Sequence, residues 1–123
     1  MSTDKIMHVF CIDPYTQKIT VEEHDGSLER VYALCDCRSI ECARITGEVD
    51  AFFDEEGLLK VDMFSRFWKH EDFIYPISGK AIFVGHNEEG DTTAPDISIA
   101  ELRDKITYMG LAEVQAYAKE AGI

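Results

Sequence analysis

The chain has 123 residues, 46% hydrophobic and 11% aromatic, with 12 basic against 24 acidic residues and a net charge of −12. That size and apolar content exclude a disordered chain, since a protein this long buries roughly two thirds of its unfolded surface without needing a disulfide or a metal. The negative field argues against direct nucleic-acid binding and against anionic membranes, because no basic cluster offsets it.

No apolar run approaches the roughly 18 residues of a membrane span. The polar start Met1-Ser2-Thr3-Asp4 carries no export signature. A cytoplasmic protein with its four cysteines reduced is therefore expected.

In chain order, residues 5–12 are apolar at both parities, as in a strand covered on both faces. Asp13-Pro14 opens a turn, with Pro14 pre-set for its second position. Residues 18–23 return as a shorter, more polar edge strand. Asp25 and Ser27 offer N-cap oxygens, and Leu28, Val31, Tyr32 and Cys35 fall at i, i+3, i+4 and i+7, predicting a short helix that ends near Cys37.

Residues 40–45 and 49–54 flank Thr46-Gly47-Glu48 as a β-hairpin, read as the centre of the fold. Val49, Ala51 and Phe53 share one face of it; Asp50, Phe52 and Asp54 share the other. An apolar run resumes at 58–61. Residues 63–77 are aromatic and irregular, with a helical turn expected over 64–69.

Ala81-Ile82-Phe83-Val84 has no polar residue and belongs in a sheet interior, followed by a long acidic loop over 86–95. Ser98-Ile99-Ala100-Glu101 is a capping box. Ile99, Leu102, Ile106 and Met109 then continue one helical stripe to a stop at Gly110, and 111–121 form a second helix. The expected fold is α+β: a single domain over residues 1–123, with a mixed or mainly antiparallel sheet of about five strands, one short helix and a C-terminal helical pair.

The chemistry-bearing residues are sparse. Cys35-Asp36-Cys37 with Cys42 is the one thiol cluster; it lacks the second ligand pair of a zinc site, so inert thiols and no metal are expected, with a thiolate metal site as a further alternative. No phosphate-binding Gly loop, nucleophile elbow or metalloprotease helix occurs, which points away from an enzyme and from a cofactor. The densest basic group, Lys60, Arg66 and Lys69, lies beside Trp68, where an anion or a stacked base would fit, and His86 ends a buried strand at a sheet rim. The acids concentrate at Glu48, Asp50, Asp54, Glu55 and Glu56, and again at Glu88, Glu89 and Asp91.

The order of elements resembles a small domain family of unknown function found in phages and mobile genetic elements of bacteria. The similarity covers about residues 6–109. It is carried by the lead Asp25-Gly26-Ser27-Leu28-Glu29-Arg30-Val31-Tyr32, the turn Asp54-Glu55-Glu56-Gly57-Leu58-Leu59, the Gly-flanked strand from Gly79 to Gly85, and Ser98-Ile99-Ala100-Glu101-Leu102. The chain departs from that pattern in its cysteines, its aromatic stretch and its last helix. The resemblance implies an accessory phage or plasmid protein in the host cytosol and no catalytic residues.

Together these readings give a non-enzymatic interaction protein. Its acidic surface would engage a host or phage protein, DNA mimicry included. The alternative is a module that sequesters a small molecule or nucleotide at Lys60, Arg66, Trp68, Lys69 and His86.

Overall fold

A computed structural model describes residues 6–47 and 49–122. The first strand, β1 (Met7–Asp13), pairs antiparallel with β2 (Lys18–His24) in register from Met7↔His24 to Asp13↔Lys18. The Asp13 carboxylate accepts the Tyr15 N–H at 2.9 Å, which fixes the turn that Pro14 begins. Helix α1 (Leu28–Cys35) starts where the Ser27 hydroxyl accepts the Arg30 N–H at 3.1 Å. It stops at Asp36, whose left-handed backbone lets Cys37 N–H reach the Tyr32 carbonyl.

The hairpin follows as β3 (Ile40–Arg44) and β4 (Val49–Asp54), in register from Ile40↔Asp54 to Arg44↔Asp50. A short 3₁₀ turn (Gly57–Lys60) leads to β5 (Arg66–His70), β6 (Ile77–Ser78), β7 (Ala81–His86) and β8 (Thr92–Thr93). Helix α2 (Ile99–Lys105), strand β9 (Ile106–Gly110) and helix α3 (Leu111–Ala121) complete the chain.

The main sheet has the order β2-β1-β7-β4-β3, with β8 on the end of β7; a second sheet has the order β6-β5-β9. Every pairing is antiparallel. The α+β class with a mainly antiparallel sheet is thus what the chain adopts.

The centre of the sheet is β7, not the hairpin: Ala81 to Gly85 are buried, and β3 lies at an edge. The reason is the apolar run itself, since only a strand covered on both faces needs no polar side chain. One face of β7, Ile82 and Val84, packs with Val9 of β1 and with Val31 and Cys35 of α1. The other face, Ala81 and Phe83, joins Ile12, Ala51, Phe53, Trp68 and Leu102 in the larger core between the two sheets and α2. Trp68 meets Phe83 edge-on, their centroids 5.2 Å apart.

Two helical expectations give way to strands. Residues 66–70 are β5, because Trp68 must face the core while Lys69 reaches the opposite side, an alternation a helical turn does not provide. The capping box at Ser98 and Glu101 forms as expected, yet α2 ends at Lys105 and Ile106 turns extended. Ile106 continues the helical stripe with Met109 but also alternates with Tyr108 at a period of two, and β5 supplies the strand partner that decides between them. The C-terminal helices are therefore two helices with a strand between. The apolar run over 58–61 falls largely on the 3₁₀ turn, where Leu58 and Leu59 stand exposed.

Candidate interaction surface

β4 and β7 run antiparallel, with Phe53 opposite Ala81 and Val49 opposite Gly85. The turn after β4 and the turn after β7 therefore leave the sheet at opposite ends, at least about 13 Å apart along the strand. The acids that the sequence groups as one rim divide into two clusters.

At the first end, Asp54 is half-buried and held by the Lys60 ammonium at 2.6 Å, and its other role is local: Oδ1 accepts the Glu56 N–H at 2.9 Å. That pairing with Asp54 is the leading cause that raises the pKa of Lys60. Glu55 and Glu56 are exposed beyond it. Glu41, on β3, points to the same end and lines a cleft with Glu55, Leu58 and Tyr75. The Tyr75 hydroxyl is held above its usual pKa, by burial first and by the Glu41 charge second.

At the second end, Asp50 lies between Arg44 and His86. Its Oδ2 is 3.1 Å from His86 Nδ1 and its Oδ1 is 3.5 Å from Arg44 Nε, both off the line of a good hydrogen bond. Beyond His86 the chain makes an Asx turn, in which Asn87 Oδ1 accepts the N–H groups of Glu89 at 3.0 Å and Asp91 at 2.9 Å. That turn sends Glu88, Glu89 and Asp91 into solvent. Glu48 lies outside the described residues.

Among the described residues, no cation pairs with Glu55, Glu56, Glu88, Glu89 or Asp91. Asp50 and Asp54 belong to the scaffold, and these five acids are exposed at its two ends. Arg44 was missed by sequence reasoning, although the hairpin register places it directly opposite Asp50 and would have revealed it.

The basic and aromatic residues do not converge. Trp68 is fully buried, so no base can stack on it as the sequence suggested. The Lys69 ammonium donates to the carbonyls of His70 and Phe73 and sits over the Tyr117 ring. Arg66 lies near Gly110 and Glu113. Lys60 opens on a polar cavity of about 180 Å³ with Lys80, at the far end of the sheet from His86.

The thiols are not activated. Burial pushes Cys11 up to about 11 and drives Cys35 further above its usual range; Cys37 and Cys42 shift upward for the same first cause. Among the described residues no group of three or more His, Cys, Asp or Glu is arranged to hold a metal ion. No helix among them is long and apolar enough to cross a membrane.

Residues 7–107 match the family described as "Domain of unknown function (DUF3846)". The chain belongs to this family. The DUF3846 match runs from β1 to the second residue of β9, so it spans the main sheet, both acidic turns and α2. Helix α3 lies beyond it. No curated protein and no solved structure matches the chain.

Proposed function

We propose that this DUF3846 protein is a non-enzymatic interaction protein whose acidic surface engages a basic partner protein. One observation supports it above the others: Asp50 and Asp54, which are partly buried, lie within ion-pair distance of Arg44 and Lys60, whereas Glu55, Glu56, Glu88, Glu89 and Asp91 are exposed and have no cation partner among the described residues. Such charges steer a basic partner at low salt and are screened at high salt, with a Debye length of about 10 Å at 0.1 M.

In the phage or mobile-element setting that the family resemblance implies, the partner is a host or phage protein in the bacterial cytosol. The narrower form of the reading is DNA mimicry, in which the partner's basic face is its DNA site. A sequestering role for nucleotides would need a stacking platform other than Trp68.

Affinity capture from bacterial lysate tests the reading. The immobilised protein should retain a basic protein at low salt and release it at high salt, and the variant with Glu55, Glu56, Glu88 and Glu89 replaced by Gln should retain markedly less. Release of that protein by added duplex DNA supports mimicry. Equal retention by the wild type and the variant contradicts the acidic-surface reading.

A further inference from the structure

Helix α3 buries none of its residues, although Val114, Tyr117 and Ala118 repeat at i, i+3 and i+4. That stripe forms one wall of an apolar groove of about 320 Å³, with Leu58, Tyr75 and Pro76 opposite. The wall is fixed: the Tyr117 hydroxyl donates to the Ile74 carbonyl at 2.8 Å, tying the helix to the segment before β6. Ile74, 75% exposed, extends the apolar surface at the rim. Leu58 and Tyr75 are shared with the neighbouring cleft, which continues to Glu41 and Glu55. An apolar channel therefore runs into an acidic mouth.

Resting on the reading of an acidic interaction protein, we infer that this groove is where the partner docks, and that its occupant is an amphipathic segment with apolar anchors and lysine or arginine at one end. Charge selects that occupant. Among the described residues no cation lines the groove or the cleft it joins, Lys69 beside Tyr117 is already engaged by two carbonyls, and Asp54 is paired with Lys60, so the lining charges left for a ligand are the carboxylates of Glu41 and Glu55. A second copy of the chain is the poorer match, because each copy carries a net charge of −12. In helix-in-groove recognition the docked helix brings its own apolar anchors at i, i+3 and i+4 into such a groove.

The probe is a fluorescein-labelled leucine/lysine amphipathic peptide about four turns long, followed by anisotropy at low salt, with a scrambled peptide of the same composition as control. Wild type should bind the amphipathic peptide more tightly than the scrambled one. Val114→Asp should weaken binding about tenfold or more, although it adds a negative charge that would strengthen a purely electrostatic association. Ala118→Glu keeps the test open if Val114→Asp lowers the helix content seen by circular dichroism. Glu41→Lys with Glu55→Lys should also weaken binding, and by more than Glu88→Lys with Glu89→Lys, whose acids lie at the other end of the sheet.

Unchanged or tighter binding by Val114→Asp and Ala118→Glu overturns the groove. So does equal binding of the scrambled peptide, or dimerisation of the wild type through this face in sedimentation. If the Glu88 and Glu89 variant alone loses binding, the acidic-surface reading stands and the groove fails. If neither peptide binds at low salt, both fail.

Discussion

The most consequential side chain is Trp68, because its burial decides both the core and what the surface can do. Its ring is fully enclosed against Phe83, and its Nε1–H has no acceptor among the described residues. A buried donor without a partner costs about 1–3 kcal/mol, so Trp68→Phe should be mild: the removed donor offsets part of the lost volume, leaving about 1–2 kcal/mol of destabilisation. Trp68→Ala should cost about 3–5 kcal/mol. Urea unfolding of the two variants checks this, and equal losses would show that the indole nitrogen is not an orphan.

His70 sets a pH dependence at the same scale. The ring is buried, and its Nδ1 accepts the Asp72 N–H at 3.0 Å, which requires the neutral form. Burial is the first cause holding its pKa below the usual 6.5, opposed by Asp72. Burial lowers His24 in the same way. The unfolded chain takes up protons below pH 6.5 while the folded one resists them. Stability is therefore complete above that pH and falls as the pH drops through it. His70→Asn keeps an acceptor near Asp72 and removes a titrating ring, so its urea midpoint should fall less than that of the wild type between about pH 7.5 and about pH 5.5. An equal fall would remove His70 as a cause.

Among the elements, β7 organises the rest, and Gly85 is its tightest point. A Cβ there would lie 2.5 Å from the Ala94 carbonyl oxygen and 2.7 Å from Thr93 Oγ1, so the close return of β8 requires glycine. Gly85→Ala should cost about 1–3 kcal/mol and speed amide exchange over Thr92–Thr93 before it affects β1 and β2. Uniform exchange rates would contradict that local origin.

The elements also show how far the sequence could be read. Strands β1, β2, β4 and β7, helix α1 and the capping box of α2 are legible because pattern, turn chemistry and environment agree. Strands β5 and β9 are not, because Phe67, Trp68, Ile106 and Tyr108 fit either period until their mutual pairing is known. The site was legible as composition only. The acids at Glu55, Glu56, Glu88 and Glu89 stand where turn residues stand, but their division between two ends of a sheet depends on β4 and β7 being antiparallel neighbours. The α3 groove was hidden for the same reason: Leu58 and Tyr75 meet Val114 and Tyr117 only through the second sheet.

For the molecule as a whole, a net charge of −12 is a field that falls off within a Debye length and acts on partners before contact. The scaffold pairs the acids it partly buries with cations, Arg44 at Asp50 and Lys60 at Asp54. The proposed recognition rests on the exposed acids that remain. The most direct measurement is the salt dependence of binding for the captured basic partner, comparing wild type with the variant carrying Gln at 55, 56, 88 and 89. The account predicts that wild-type affinity falls steeply with rising salt and that the variant binds more weakly with a shallower slope. Equal affinity and equal slope in the two proteins would contradict it.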